Sequence, residues 1–201
     1  MKEIIKNILK LAHLYIPLCN LHNKNVRKAF HRTKQLPLHE FRKRFKPRIF
    51  VETGTYKGEM VEAMRRKFKK IYTIELADGL YEKARVKFAK YPHIHLFHGD
   101  SQQILPKILK EINEPTLFWI DAHWSGGETT FINAHSPVQY ELQFILDHHI
   151  KNHVILIDDV RNFVGIDGYP KSSAIEQMAK SYGYEFENKD DIFRLYPRVS
   201  R

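Results

Sequence analysis

Residues 50–59 read F-V-E-T-G-T-Y-K-G-E. A short apolar run ends in an acid, Glu52, and is followed by Gly54, three residues, and Gly58. A strand that runs at once into a glycine turn and a helix is how α/β proteins bring backbone N–H groups up to a nucleotide-like ligand. A dinucleotide fingerprint requires G-x-G-x-x-G, and the position two after Gly54 is Tyr56, which excludes it. The pattern present is E-x-G-x-x-x-G.

Working outward, apolar β-branched runs alternate with helical periodicity. Strands are expected at 49–53, 70–75, 94–98, 116–120 and 154–157. Helices are expected at 59–69, 79–90 and 101–112, the last capped by Ser101. A further helix begins at Ser136-Pro137, where Ser136 is the N-cap and Gln139 completes a capping box. Another covers 171–182 and stops at Gly183. Residues 184–187 and 192–196 read as a terminal antiparallel pair. Continuous apolar strands between helices imply a mainly parallel sheet covered on both faces.

In such a sheet ligands bind beyond the carboxyl ends of the strands. An acid stands at each of the first five: Glu52, Glu75, Asp100, Asp121 and the pair Asp158-Asp159. Acids suit the cationic sulfonium and amino groups of S-adenosylmethionine (SAM), and an acid after the second strand can accept both hydroxyls of a ribose. The order E-x-G-x-x-x-G, I-E-L, H-G-D-S, W-I-D resembles the motifs of class I SAM-dependent methyltransferases over residues 48–197. The resemblance implies a Rossmann-like seven-stranded sheet whose last strand is antiparallel. It implies that Glu52 and Gly54 line the methionine part of SAM, that Glu75 holds the ribose, and that Asp100 and Ser101 hold the adenine. Thr55, Tyr56, Gly58, Leu76, Gly99, Asp121 and His123 complete the implied cofactor set.

Asp121, Asp158 and Asp159 at neighbouring strand ends make an oxygen-rich group suited to Mg²⁺ or a similar hard cation. The segments W-I-D-A-H-W and L-I-D-D are similar to the metal-binding positions of metal-dependent O-methyltransferases of the catechol and macrocin type. Catechol-type enzymes carry a lysine just after the fourth-strand acid, whereas no lysine lies between Asp121 and Lys151 here. His123 is the substitute general base, with Asp121 beside it as a second catalytic candidate. The glycine-containing stretch 124–136 has the character of an active-site lid, and Arg161 and Asn162 are candidate acceptor contacts. Twelve histidines invite a zinc reading, but His93, His95 and His98, and His148, His149 and His153, lack structural-zinc spacing with cysteine.

At 201 residues the chain suits one core domain. Its single cysteine excludes a disulfide framework and fits a reducing, cytoplasmic setting. The net charge of +10 is uneven. Residues 1–48 hold 13 lysines and arginines against two acids, +11, while 49–201 hold 20 against 21, −1. The chain therefore reads as a basic, partly amphipathic helical extension, 1–47, and a methyltransferase-like domain, 48–201. Residues 3–16 place Ile4, Ile5, Ile8, Leu9, Leu11, Ala12, Tyr15 and Ile16 on one helical side, with Lys2, Lys6 and Lys10 largely opposite. Such a helix packs on its own core or lies on a membrane surface. A signal peptide fits poorly, because Lys10, His13 and Pro17 interrupt the apolar part.

The expected activity is methyl transfer from SAM to a hydroxyl of a small molecule, sugar or glycolipid, assisted by Mg²⁺ or another divalent cation. Expected partners are that acceptor, a membrane surface for the N-terminal helix, and a second copy of the chain as a homodimer. Two alternatives stand beside this. A nucleic-acid methyltransferase would use the basic N-terminus on phosphates, although D-A-H-W is not the Asn/Asp-Pro-Pro-aromatic loop of base-amine methylation. A non-catalytic SAM-binding scaffold would need no Asp158-Asp159 pair.

Overall fold

The computed structural model describes residues 24–121, 136–166 and 168–198. The chain divides into two compact units, Met1–Glu40 and Phe41–Arg201. The amphipathic stretch 3–16, His123 and most of the lid-like stretch lie outside the described residues.

Helix α1, Lys24–Phe45, spans the boundary between the units. It falls within the stretch expected as a helical extension, and Pro37 lies inside it. Its last turn carries Arg42, Lys43 and Arg44, cations that complement the negative end of the helix dipole. Lys46, at φ 53°, closes it with a left-handed residue whose N–H donates to the Arg42 carbonyl at 2.9 Å. Within the second unit, Phe41 and Phe45 of this last turn pack on Tyr196, with ring centroids 5.1 and 6.0 Å away.

Seven strands form one sheet in the order β3-β2-β1-β4-β5-β7-β6. They are β1 Ile49–Thr53, β2 Lys70–Glu75, β3 Ile94–His98, β4 Thr116–Ile120, β5 Val154–Ile157, β6 Tyr184–Lys189 and β7 Ile192–Pro197. Pairings among β1 to β5 are parallel, and β7 runs antiparallel to both β5 and β6. The expected seven-stranded sheet with an antiparallel last strand is therefore what the chain forms. The antiparallel β7 inserts between β5 and β6 because the two-residue turn Asp190-Asp191 folds it straight back along β6. Both turn residues take the positive φ such tight hairpins require (57° and 62°).

Among the described residues five α-helices follow: α2 Glu59–Met64, α3 Asp78–Phe88, α4 Ser101–Leu109, α5 Val138–Asp147 and α6 Ser172–Ser181. One core layer joins Val51, Ile74, Phe118, Ile120 and Ile157 of the sheet to Leu105, Ile108, Leu142, Ile145 and Ile175 of α4, α5 and α6. Alternate strand residues point to the other face, where Phe50 meets Phe68 at 5.2 Å. Every residue of β1, β4 and β5 is buried, which is why those runs are continuous rather than alternating.

Three local expectations are corrected. α2 stops at Met64 rather than running to 69, because the chain must turn there for the Lys69 N–H to reach the Arg48 carbonyl at 2.8 Å. Asp100, not Ser101, caps α4, with its Oδ1 accepting the Gln102 N–H at 2.9 Å. Pro137, not Ser136, takes the N-cap position of α5, and Ser136 Oγ is only a distant acceptor for the Val138 N–H at 3.5 Å.

Candidate functional site

Register decides what meets at the sheet's carboxyl edge. Thr53 pairs with Ile74 and Ile120, and Ile120 pairs with Ile157, so four strand ends lie in one row. The next row is therefore Gly54, Glu75, Asp121 and Asp158. Backbone bonds continue the ladder into it: Asp121 N–H to Thr53 O and Asp158 N–H to Ile120 O, both at 3.0 Å.

The glycine loop is built around Glu75. Gly54 and Thr55 N–H both donate to the Ile74 carbonyl, at 3.0 and 2.9 Å, and Gly58 N–H donates to Thr55 O at 2.8 Å. Tyr56, at φ 49°, turns its N–H onto Glu75 Oε2 at 2.6 Å, and Ala77 N–H reaches Oε1 at 2.9 Å. These loop amides thus serve the protein first: they hold a carboxylate in place instead of facing outward. Burial raises the Glu75 pKa, and the amides of Ala77, Tyr56 and Leu76 oppose the shift. A carboxylate has about four acceptor positions, so this one retains capacity for a further donor.

Glu52 is 1% exposed and lies beneath the loop. Thr73 Oγ1 donates to its Oε2 at 2.7 Å, which commits the Thr73 proton. Thr55 Oγ1, 2.6 Å from Thr73 Oγ1, is then the donor of that second bond. Complete burial pushes the Glu52 pKa well above the carboxylate range, Asp121 and Glu75 push it further, and Thr73 and Lys87 counter them. Glu52 is therefore an acid held towards its neutral form.

Among the expected adenine contacts, Ser101 is buried and Asp100 is half-buried with one oxygen engaged on Gln102. Gly99, at φ 138°, takes a backbone conformation that side chains rarely adopt, and Leu76 is half-buried.

Asp121, Asp158 and Asp159 converge. Each offers an oxygen, and these atoms lie within 4.8 Å of one another. Asp158 is fully buried and accepts the Asp159 N–H at 2.8 Å. Asp159 sits at φ 57°, a left-handed conformation aspartate tolerates, and caps the short 3₁₀ turn Val160–Asn162. Asp121 Oδ2 accepts from Trp119 Nε1 at 3.3 Å. An all-carboxylate, hard-oxygen set of this spacing fits Mg²⁺ or a like cation. Among the described residues it is the one group of acids, histidines or cysteines close enough to hold a metal.

Arg161 was a candidate acceptor contact, and it lies against the acids. Its Nη2 is 2.9 Å from Asp159 Oδ1, and it also pairs with Asp191. Burial opposes its charge, but Asp159 and Asp191 outweigh that and raise its pKa. Tyr169 was missed. Burial and the nearby Asp159 push its phenol up to about 12, with Asn162 and Ser136 hydrogen-bonding it and Asp121 adding to the rise. A single aromatic in the G-Y-P loop carries no periodicity, so the sequence offered no sign of it. The histidines are engaged elsewhere. His93 Nε2 is 2.8 Å from Arg65 O, His98 Nε2 is 3.0 Å from Asp78, and His148 and His153 bond each other.

No family model matches the chain, and no curated protein matches it in sequence. Solved structures do match. An SAH-bound methyltransferase from Podospora anserina is 14% identical with a TM-score of 0.57, over 97% of this chain and 88% of that one. The N-methyltransferase NodS from Bradyrhizobium japonicum is 10% identical with a TM-score of 0.56, over 84% and 97%. The methyltransferase domain of bacterial CtHen1 is 11% identical with a TM-score of 0.56, over 83% and 99%. At such identities the likeness is one of fold.

Proposed function

We propose that this chain is a SAM-dependent methyltransferase acting on a hydroxyl oxygen of a small molecule, sugar or glycolipid, with a divalent cation at Asp121, Asp158 and Asp159. The observation that carries the reading is the meeting of two arrangements on one edge of a methyltransferase-type sheet: an amide-held carboxylate, Glu75, and the three-carboxylate group.

Glu75 would accept from the SAM ribose, with its orientation set by the Tyr56 and Ala77 amides. Asp100, Ser101 and Leu76 border the adenine, while Gly54 lets the chain pass close to the methionine part. In the reaction an acceptor oxygen attacks the methyl carbon, the carbon–sulfur bond breaks with its electron pair going to sulfur, and the hydroxyl proton leaves to a base. A divalent cation, when bound, lowers the pKa of such a hydroxyl and orients it. Asp121, Asp158 and Asp159 would hold that cation, and Arg161 balances the charge of Asp159. Tyr169, with its raised pKa, stays a neutral donor beside them at physiological pH. His123 is the candidate base.

The test is calorimetric titration of S-adenosylhomocysteine with Mg²⁺ and then with EDTA, on the parent, Glu75→Ala and Asp158→Asn. The parent should bind. Glu75→Ala should lose roughly 10- to 100-fold in affinity, the range for hydrogen bonds to a charged group. Asp158→Asn should keep cofactor binding and lose any Mg²⁺ response. Absence of binding by the folded parent overturns the reading.

A further inference from the structure

Two basic segments distant in sequence lie side by side at the edge of the sheet opposite the carboxylates. One is F-R-K-R-F-K-P-R, 41–48, ending where β1 begins; the other is R-R-K-F-K-K, 65–70, ending on the first residue of β2. The Lys69 and Lys70 N–H groups both donate to the Arg48 carbonyl, at 2.8 and 3.4 Å, and Arg42 Nε donates to Lys67 O at 2.7 Å. Together the segments hold ten lysines and arginines and no acid. Three of the ten are answered by acids: Arg48 by Glu114 at 2.6 Å, Lys70 by Glu111 at 3.6 Å and Arg65 by Glu62 at 2.6 Å. Lys43, Lys46, Arg66, Lys67 and Lys69 are exposed and pair with no carboxylate among the described residues.

A charge run on one helix is ordinarily a solvated face. Here two runs from different elements are pinned together by backbone hydrogen bonds, and the mutual repulsion is built into the fold. The near-neutral balance of 49–201 conceals this, because the acids at the carboxyl ends of the strands offset the bases of 65–70 in the sum.

We propose that this basic edge of the second unit is a docking face for an anionic phospholipid bilayer. The inference goes beyond methyl transfer and does not depend on it. A nucleic-acid substrate would have to reach the carboxyl ends of the strands, where Glu75, Asp121, Asp158 and Asp159 repel phosphate. The basic edge lies a full strand length away, roughly 17 Å. A bilayer needs no such path. The sequence leading towards the patch, 3–16, has apolar residues at helical spacing with lysines opposite, a pattern suited to the headgroup–acyl boundary and of no use to a phosphate backbone. Among the described residues no helix is long and apolar enough to cross a membrane. Docking by this edge leaves the carboxylate edge on the aqueous side, which favours the water-soluble acceptors named above over a membrane-anchored glycolipid.

A basic residue near an anionic surface favours binding roughly fivefold, and salt screens the effect. The test uses the full chain in co-sedimentation with phosphatidylcholine vesicles, with and without phosphatidylglycerol. The parent should sediment only with the anionic vesicles and be released by salt. Arg66→Gln/Lys67→Gln/Lys69→Gln should weaken this on the order of a hundredfold. Lys43→Gln/Lys46→Gln should weaken it in the same direction, and Lys171→Gln/Lys189→Gln, at the start of α6 and the end of β6 on the opposite edge, should leave it intact. Thermal midpoints equal to the parent's check that the variants are folded. No sedimentation of the parent, or unchanged sedimentation of both patch variants, overturns the proposal. So does an RNA titration in which the patch variants lose affinity while the vesicles stay unbound.

Discussion

Gly58 shows how one residue holds the loop to the helix behind it. Its φ is 63°, and a Cβ placed there would sit 2.6 Å from Phe88 Cε2 on α3. Gly58→Ala combines a left-handed conformation with overpacking and should cost roughly 2–4 kcal/mol, read as a clear fall in thermal midpoint. An unchanged midpoint would show that Phe88 yields freely. Glu52 offers a second prediction at this scale. Its folded pKa lies above the unfolded value, so its contribution to stability is fully present below the ordinary carboxylate pKa and is lost as pH rises through the raised one. Glu52→Gln, which cannot ionise, should raise the thermal midpoint at neutral and alkaline pH and gain nothing at acid pH. A gain of equal size at all pH values would contradict the assigned cause.

At the scale of elements, the joint between α4, α5 and β5 is made by two histidines. Thr116 N–H donates to His153 Nδ1 at 3.2 Å, so His153 Nε2 carries the proton and donates to His148 Nδ1 at 2.9 Å. His148 Nε2–H then donates to Leu109 O at 2.9 Å. The chain of bonds works only with both rings neutral. Burial lowers both pKa values, that of His153 to about 3, with neighbouring His149 and Lys151 adding to the effect on each. Since both folded values lie below the unfolded one, this stability is present above the ordinary histidine pKa and lost as pH falls from about 6.5 towards 3. His153 alone accounts for up to about 5 kcal/mol of it. Urea titrations across that window should show stability falling with pH, and ring NMR signals of His153 should not titrate near 6.5. A His153 titration at the ordinary value would refute the relay.

Across the whole molecule, cofactor and fold are linked. Any ligand that binds the folded state alone raises its melting temperature with concentration. S-adenosylhomocysteine should therefore raise the midpoint of the parent progressively, and Glu75→Ala should move the rise to roughly 10- to 100-fold higher ligand concentration while lowering the ligand-free midpoint, since the Tyr56 and Ala77 amides lose their acceptor. Mg²⁺ should add its own shift, lost in Asp158→Asn. A Mg²⁺ shift that survives this substitution would place the cation elsewhere.

The five parallel strands were legible in the sequence, and their bounds match the expected ones, because β1, β2, β4 and β5 are largely buried apolar runs, β3 alternates, and each is closed by glycine or an acid. The sequence also placed an acid at each strand end, and the terminal antiparallel pair. These are local signals, carried by periodicity and punctuation within a few residues. Helix ends were less legible: α2 stops early and Asp100 takes the cap from Ser101, since tertiary hydrogen bonds settle which of several competent residues closes a helix. The meeting of Asp121 with Asp158 and Asp159 was expected from their places at strand ends, whereas Tyr169 beside them, the entry of β7 between β5 and β6, and the contact of 65–70 with 41–48 became visible in the tertiary structure. The reason is physical. Periodicity records which face of an element is buried, whereas strand order and register, set by packing across long stretches of chain, decide which charges are forced together.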